Sequence, residues 1–129
     1  MSYCFSCVLN VNFNQAIEQV TAQLKEEGFG VLTSTDITAT FKSKLDVDFR
    51  NYVILGACHP QSAYRALQSE PRIGVFLPCN VIVQELDNGT VEVSAVDPVA
   101  SMGAVENDDL GHVAIEIREK LQNVINHLV

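Results

Sequence analysis

Apolar positions recur along this chain with two periods, and the switches between them lay out the fold. From Tyr3 to Leu9 they alternate, with Phe5, Cys7 and Leu9 on one side and Cys4, Ser6 and Val8 on the other, which predicts a strand. Phe13, Ala16, Ile17, Val20 and Leu24 then return at helical spacing. Asn12 and Gln15 form a capping-box pair ahead of that stripe, and Gly28 behind it suits a left-handed helix exit. Phe29 to Thr33 is a short apolar strand expected beside or near the first, and Asp36 can cap a short helix to Leu45 carrying Ile37 and Phe41.

Tyr52 to Ala57 is a continuous apolar run around Val53, Ile54 and Leu55, which predicts a central strand covered on both faces. Pro60 suits the first position of a helix reaching Leu67, with Ala63, Tyr64 and Leu67 inward. Glu70 to Gly74 interrupts the pattern, and from Val75 through Pro78 to Leu86 the chain reads as strand again. Asn88-Gly89 is the strongest local signal, because both supply the positive φ of a type I′ turn at little expense. A two-residue turn there sets Leu86 opposite Val91, Gln84 opposite Val93, Ile82 opposite Ala95 and Asn80 opposite Asp97. Cys79, Val81, Val83, Glu85, Glu92, Ser94 and Val96 fall on the other face, and the like-charge pair Glu85 and Glu92 counts against that register. Asp97-Pro98 ends the strand and Val99 to Glu106 is a loop of small residues. A long helix from Asp108 or Asp109 then carries Leu110, Val113, Ala114, Ile117, Leu121, Val124, Ile125 and Leu128 at helical spacing.

Composition narrows the picture. The 129 residues, 47% of them hydrophobic, fit a single α+β domain spanning 1–129 with a core of its own, and no repeat or linker divides it. Eight basic against sixteen acidic residues give a net charge of −8, and Lys25, Arg50, Arg65, Arg72 and Arg118 share no run, so nucleic acid is not an expected partner. No basic and apolar leader follows Met1, and nowhere do about 18 apolar residues run together. A cytoplasmic protein that neither spans nor binds a membrane is expected, with its four cysteines reduced.

The candidate chemistry gathers in Gly56-Ala57-Cys58-His59-Pro60 and Leu77-Pro78-Cys79-Asn80, each a cysteine near a proline at a strand edge. Cys58 precedes the helix that Pro60 opens, where unpaired N–H groups and the helix dipole favour a thiolate or an anionic ligand. A small residue where strand and helix pack closely is the competing reading. An antiparallel return would bring Cys79 toward Cys58, and a β-α-β crossover would separate them. Cys58, His59, Cys79 and Asn80, with Tyr52 and Arg65 nearby, are the candidate ligand-binding residues. The Cys4-x-x-Cys7 spacing invites a zinc reading, but a strand sends the two side chains to opposite faces. With no Gly-rich phosphate loop, no His-x-x-x-His pair and no Ser/His/Asp set, no catalytic residue, metal ligand or cofactor is assigned.

At Tyr52, Gly56-Ala57-Cys58, Pro60, Ala63-Tyr64, Leu67, Gly74 and Leu77-Pro78-Cys79-Asn80-Val81 the chain resembles a widespread prokaryotic family of small proteins, domain of unknown function 302. Ala16, Leu24, Gly28-Phe29 and Asp97-Pro98 support the likeness, which covers residues 12 to 98. It implies a β-α-β(4)-α arrangement similar to the TATA-binding-protein-like fold, with a mixed, strongly curved sheet, helices packed on one face, and a homodimer. His59 departs from the family, where Asn is commoner, and Cys4 and Cys7 lie outside the matched stretch.

Two functions compete, with a purely structural role held in reserve because a fold alone assigns nothing. The first is a homodimeric binding module for a small ligand, an anionic one included, or for a protein partner, motivated by the apolar row Val81, Val83 and Val96 on the face opposite the expected core. The second is a thiol protein handling sulfur, redox equivalents or a soft metal through Cys58 and Cys79.

Overall fold

Local hydrogen bonds set where the elements begin and end in the computed structural model, which describes residues 2–129. After strand β1 (Cys4–Leu9), Asn12 Oδ1 accepts the Gln15 N–H at 2.8 Å while Gln15 Oε1 accepts the Asn12 N–H at 3.2 Å, and this reciprocal pair opens α1 (Phe13–Glu26). Gly28 closes it at φ +87°, where the Phe29 N–H reaches back to the Leu24 carbonyl at 2.9 Å. Strand β2 (Gly30–Asp36) runs directly into α2 (Ile37–Leu45), whose first turn is capped by Asp36 accepting the Ala39 N–H at 2.9 Å. There follow β3 (Tyr52–Cys58), α3 (Pro60–Ser69), a 3-10 turn (Pro71–Phe76), β4 (Cys79–Glu85), β5 (Val91–Val96), the short α4 (Pro98–Ser101) and α5 (Asp108–Asn126). Asn107 caps α5, and Asp108 and Asp109 place negative charge on its first turn.

The five strands form one curved, unclosed sheet in the order β1-β5-β4-β3-β2. Every pairing is antiparallel, so the α+β class holds while the sheet is not mixed. The reason lies in the connections: α3 with its 3-10 turn returns the chain at the same sheet end rather than carrying it along the sheet's length. Strand β2 does not lie beside β1; the two occupy opposite edges. Strand β1 is an edge without charge or proline, whereas β2 is bent by a bulge between Val31 and Thr33.

The β4–β5 hairpin differs from expectation by one residue. Gly89 alone has positive φ, +84°, and its N–H donates to the Leu86 carbonyl at 2.9 Å while the Leu86 N–H donates to the Thr90 carbonyl at 2.8 Å. The loop is therefore the three residues Asp87-Asn88-Gly89, a turn finished by a left-handed glycine, and Glu85 rather than Leu86 pairs with Val91. One step of register exchanges the faces. Val81 and Val83 are fully buried alongside Val91, Val93 and Ala95, so the exposed apolar row expected from the sequence does not exist. Glu92 now stands opposite Gln84, whose amide donates to it at 2.9 Å, and the like-charge pair disappears.

The core lies between this sheet face and helices α1 and α5. Ala16, Val20 and Leu24 meet Leu110, Val113, Ile117, Leu121 and Val124 over Val53, Leu55 and the hairpin valines. The second face carries Ile54 and Ile82 half-buried and Val8 half-exposed, so β3 is not covered equally on both sides. Tyr64, expected inward, is 67% exposed because Ser62 and Ala66 take the inner side of α3.

Candidate functional site: an apolar cavity beneath α3

The end of β3 and the start of β4 pair Ala57 with Cys79, which brings both cysteine segments to one corner of the sheet. There the helices do not close down. Ala57, Cys58 and Cys79 from the strands face Ser62, Ala63 and Ala66 from α3, and all six are small. Phe29, Leu32, Leu77, Pro98 and Met102, with Val113, Ala114 and Ile117 of α5, complete the wall of a cavity of about 280 Å³, partly open to solvent. A cavity of roughly 150 Å³ with such a lining stays dry and admits benzene. This one holds more, and its surface is almost wholly apolar.

The polar groups at the wall are few. His59 precedes α3 without a side-chain capping bond, and its ring stands edge-on to Phe29 with centroids 5.4 Å apart. Its Nδ1 is buried without a hydrogen-bond partner. Burial, together with the positive charge of Lys120 and against the opposing pull of Glu116, lowers the His59 pKa below the usual imidazole value. Burial first, and the neighbouring Cys58 second, push the Cys79 thiol up to about 11. Cys79 is therefore a protonated, weakly nucleophilic group at neutral pH.

The structure brings together Cys58, His59 and Cys79, and leaves the other candidates outside. Asn80 is exposed beyond the wall. Tyr52 begins β3 at the far end, stacked in a cluster with Phe49 and the Arg50 guanidinium. Arg65 lies on the outer side of α3, paired with Asp109 at 2.8 Å and Glu116 at 3.5 Å. Cys4 and Cys7 are separate free thiols on opposite faces of β1. Among the described residues, no group of three or more His, Cys, Asp or Glu side chains is placed to hold a metal ion. The lining from α4 and α5 was not foreseen as a site: Val113, Ala114 and Ile117 read as ordinary core. No sequence signal marked it, since the small residues that leave the space come from separate elements and meet only in the fold.

Fold and cavity together define a small α+β domain with a hydrophobic pocket where a sheet corner meets two helices. The family model for the domain of unknown function DUF302 matches residues 5–128, and the chain belongs to that family. It is similar to the crystal structure of an uncharacterised conserved DUF302 protein from Bacillus stearothermophilus, with TM-score 0.90 and 30% identity over 98% of each chain. No curated protein matches the chain. Among the described residues, no helix is long and apolar enough to cross a membrane.

Proposed function

We propose that this domain is a binding module for a small, neutral, predominantly apolar molecule, taken up in the cavity beneath α3. The observation that carries the reading is the lining: about 280 Å³ bounded by aliphatic, aromatic and thiol groups, with no lysine, arginine or carboxylate in the wall. An anionic ligand would have only the N-terminus of α3 to meet it, since Arg65 is engaged outside the wall. The homodimer rests on the family resemblance alone, because the apolar row that motivated it is buried within one chain. Titration with the neutral dye N-phenyl-1-naphthylamine tests the pocket. Saturable fluorescence enhancement with a single dye per chain is expected, and no enhancement on native protein overturns the reading. A monomeric mass in sedimentation at micromolar concentration removes the dimer.

A thiol-dependent function is the second reading, favoured by Cys58 and Cys79 lining one cavity. With Cys79 protonated, half-buried Cys58 is the sulfur left to react. Slow alkylation of both on native protein at neutral pH, rising only on unfolding, removes this reading.

A further inference from the structure

Helix α3 has fewer principal neighbours than α1 or α5. Its principal neighbours are α5 and the 3-10 turn that follows it, and no strand is among them, whereas α1 and α5 lie directly on the sheet. The cavity occupies the gap between α3 and the strands. The attachment to α5 is largely polar at the surface. Arg65 bridges to Asp109 and Glu116 at 2.8 and 3.5 Å, the Ser69 hydroxyl donates to Asn107 Oδ1 at 3.0 Å, and Asn107 Nδ2 donates to the Ser69 carbonyl at 3.1 Å. Half-exposed bonds of this kind break and re-form without disturbing a core. On either side of the helix stands one extended residue followed by proline: His59 at φ −100°, ψ 99° before Pro60, and Glu70 at φ −144°, ψ 94° before Pro71. Residues at element ends are where hinges absorb backbone rotation.

We infer that α3 is a hinged roof: it turns about His59 and Glu70 once the Arg65 and Ser69 latch to α5 releases, and this motion admits and discharges the ligand. The inference rests on the reading of the cavity as a binding site. It concerns rate of access, not affinity, because the latch lies outside the wall.

Stopped-flow binding of N-phenyl-1-naphthylamine to the wild type and to the Arg65→Ala/Ser69→Ala double variant, at low and high sodium chloride, tests it together with amide hydrogen exchange. The variant is expected to bind and release the dye several-fold faster at nearly unchanged affinity. Salt should accelerate the wild type and leave the variant unmoved, and α3 amides should exchange ahead of those in α1 and α5. Dye binding whose rates ignore both salt and the latch overturns the roof while the pocket stands. If dye binds but α3 amides exchange as slowly as those of α5, the roof is likewise overturned; if no dye binds, the pocket reading fails and the roof, left with no ligand to admit, falls with it.

Discussion

Gly56 of β3 lies directly against Pro78, so closely that a Cβ on Gly56 would stand 2.8 Å from the proline Cγ while also overlapping Thr33 Oγ1. The glycine lets the chain entering β4 close over the central strand beside the cavity. Gly56→Ala should lose roughly 1–3 kcal/mol in denaturant unfolding, the usual loss on overpacking. Adding Thr33→Ala should recover only part of it, since the proline ring cannot withdraw. Unfolding at the wild-type midpoint would show that the approach is looser than described.

Gly28 couples the end of α1 to the pocket. Its φ of +87° is strained for any side chain, and a Cβ there would lie 3.0 Å from His59 Nε2. Gly28→Ala is expected to lose about 1–2 kcal/mol from the backbone alone. It should also shift the His59 ring resonances, which a pure backbone effect would leave in place.

Filling the cavity should separate binding from folding. Ala114→Leu extends a buried α5 side chain into the space beneath α3. Dye binding should vanish while the thermal midpoint holds or rises, in line with cavity-filling gains of about 0.5–2 kcal/mol. Undiminished dye binding would place the dye elsewhere.

Cys79 makes stability depend on alkaline pH. Its thiol ionises near 11 in the folded chain against 9.0 ordinarily, so the unfolded state releases its proton first. The contribution is complete below pH 9 and is lost as pH rises through 11. At about 1.4 kcal/mol per pH unit, roughly 2–3 kcal/mol of stability should decline across that window. Denaturant unfolding of Cys79→Ala, measured beside the wild type from neutral pH upward, should lack this part of the decline. Parallel curves would show the thiol to be more hydrated than its burial implies.

What the sequence disclosed was mainly local. Asn12, Gln15, Gly28, Asp36 and Pro60 each act within a few residues, and each does in the fold what its position suggests. The hairpin was less legible, because Asn88-Gly89 serves either a two-residue turn or a longer loop in which Gly89 alone is left-handed. The choice depends on which face of the ladder is buried, a tertiary matter. A pointer was present: the apolar set Val81, Val83, Val91, Val93 and Ala95 shares a face only in the register that also separates Glu85 from Glu92. The meeting of Cys58 and Cys79 needed the sense of strand pairing, which two cysteine-proline segments do not specify. The cavity itself was illegible, since Ala57, Ala63, Ala66 and Ala114 come from distant elements and an empty volume has no sequence pattern of its own.

The charge-free edge at β1 bears on how copies of this chain keep apart. Its outward N–H and C=O groups have no lysine, proline or bulge to discourage another strand, while the bulged β2 is a poor template. What stands between two such edges is the net charge of −8, a long-range repulsion that salt shortens to about 8 Å at physiological ionic strength. Colloidal stability is thus delegated to the rest of the surface, and raising protein and salt concentration together should favour strand-to-strand contact through β1.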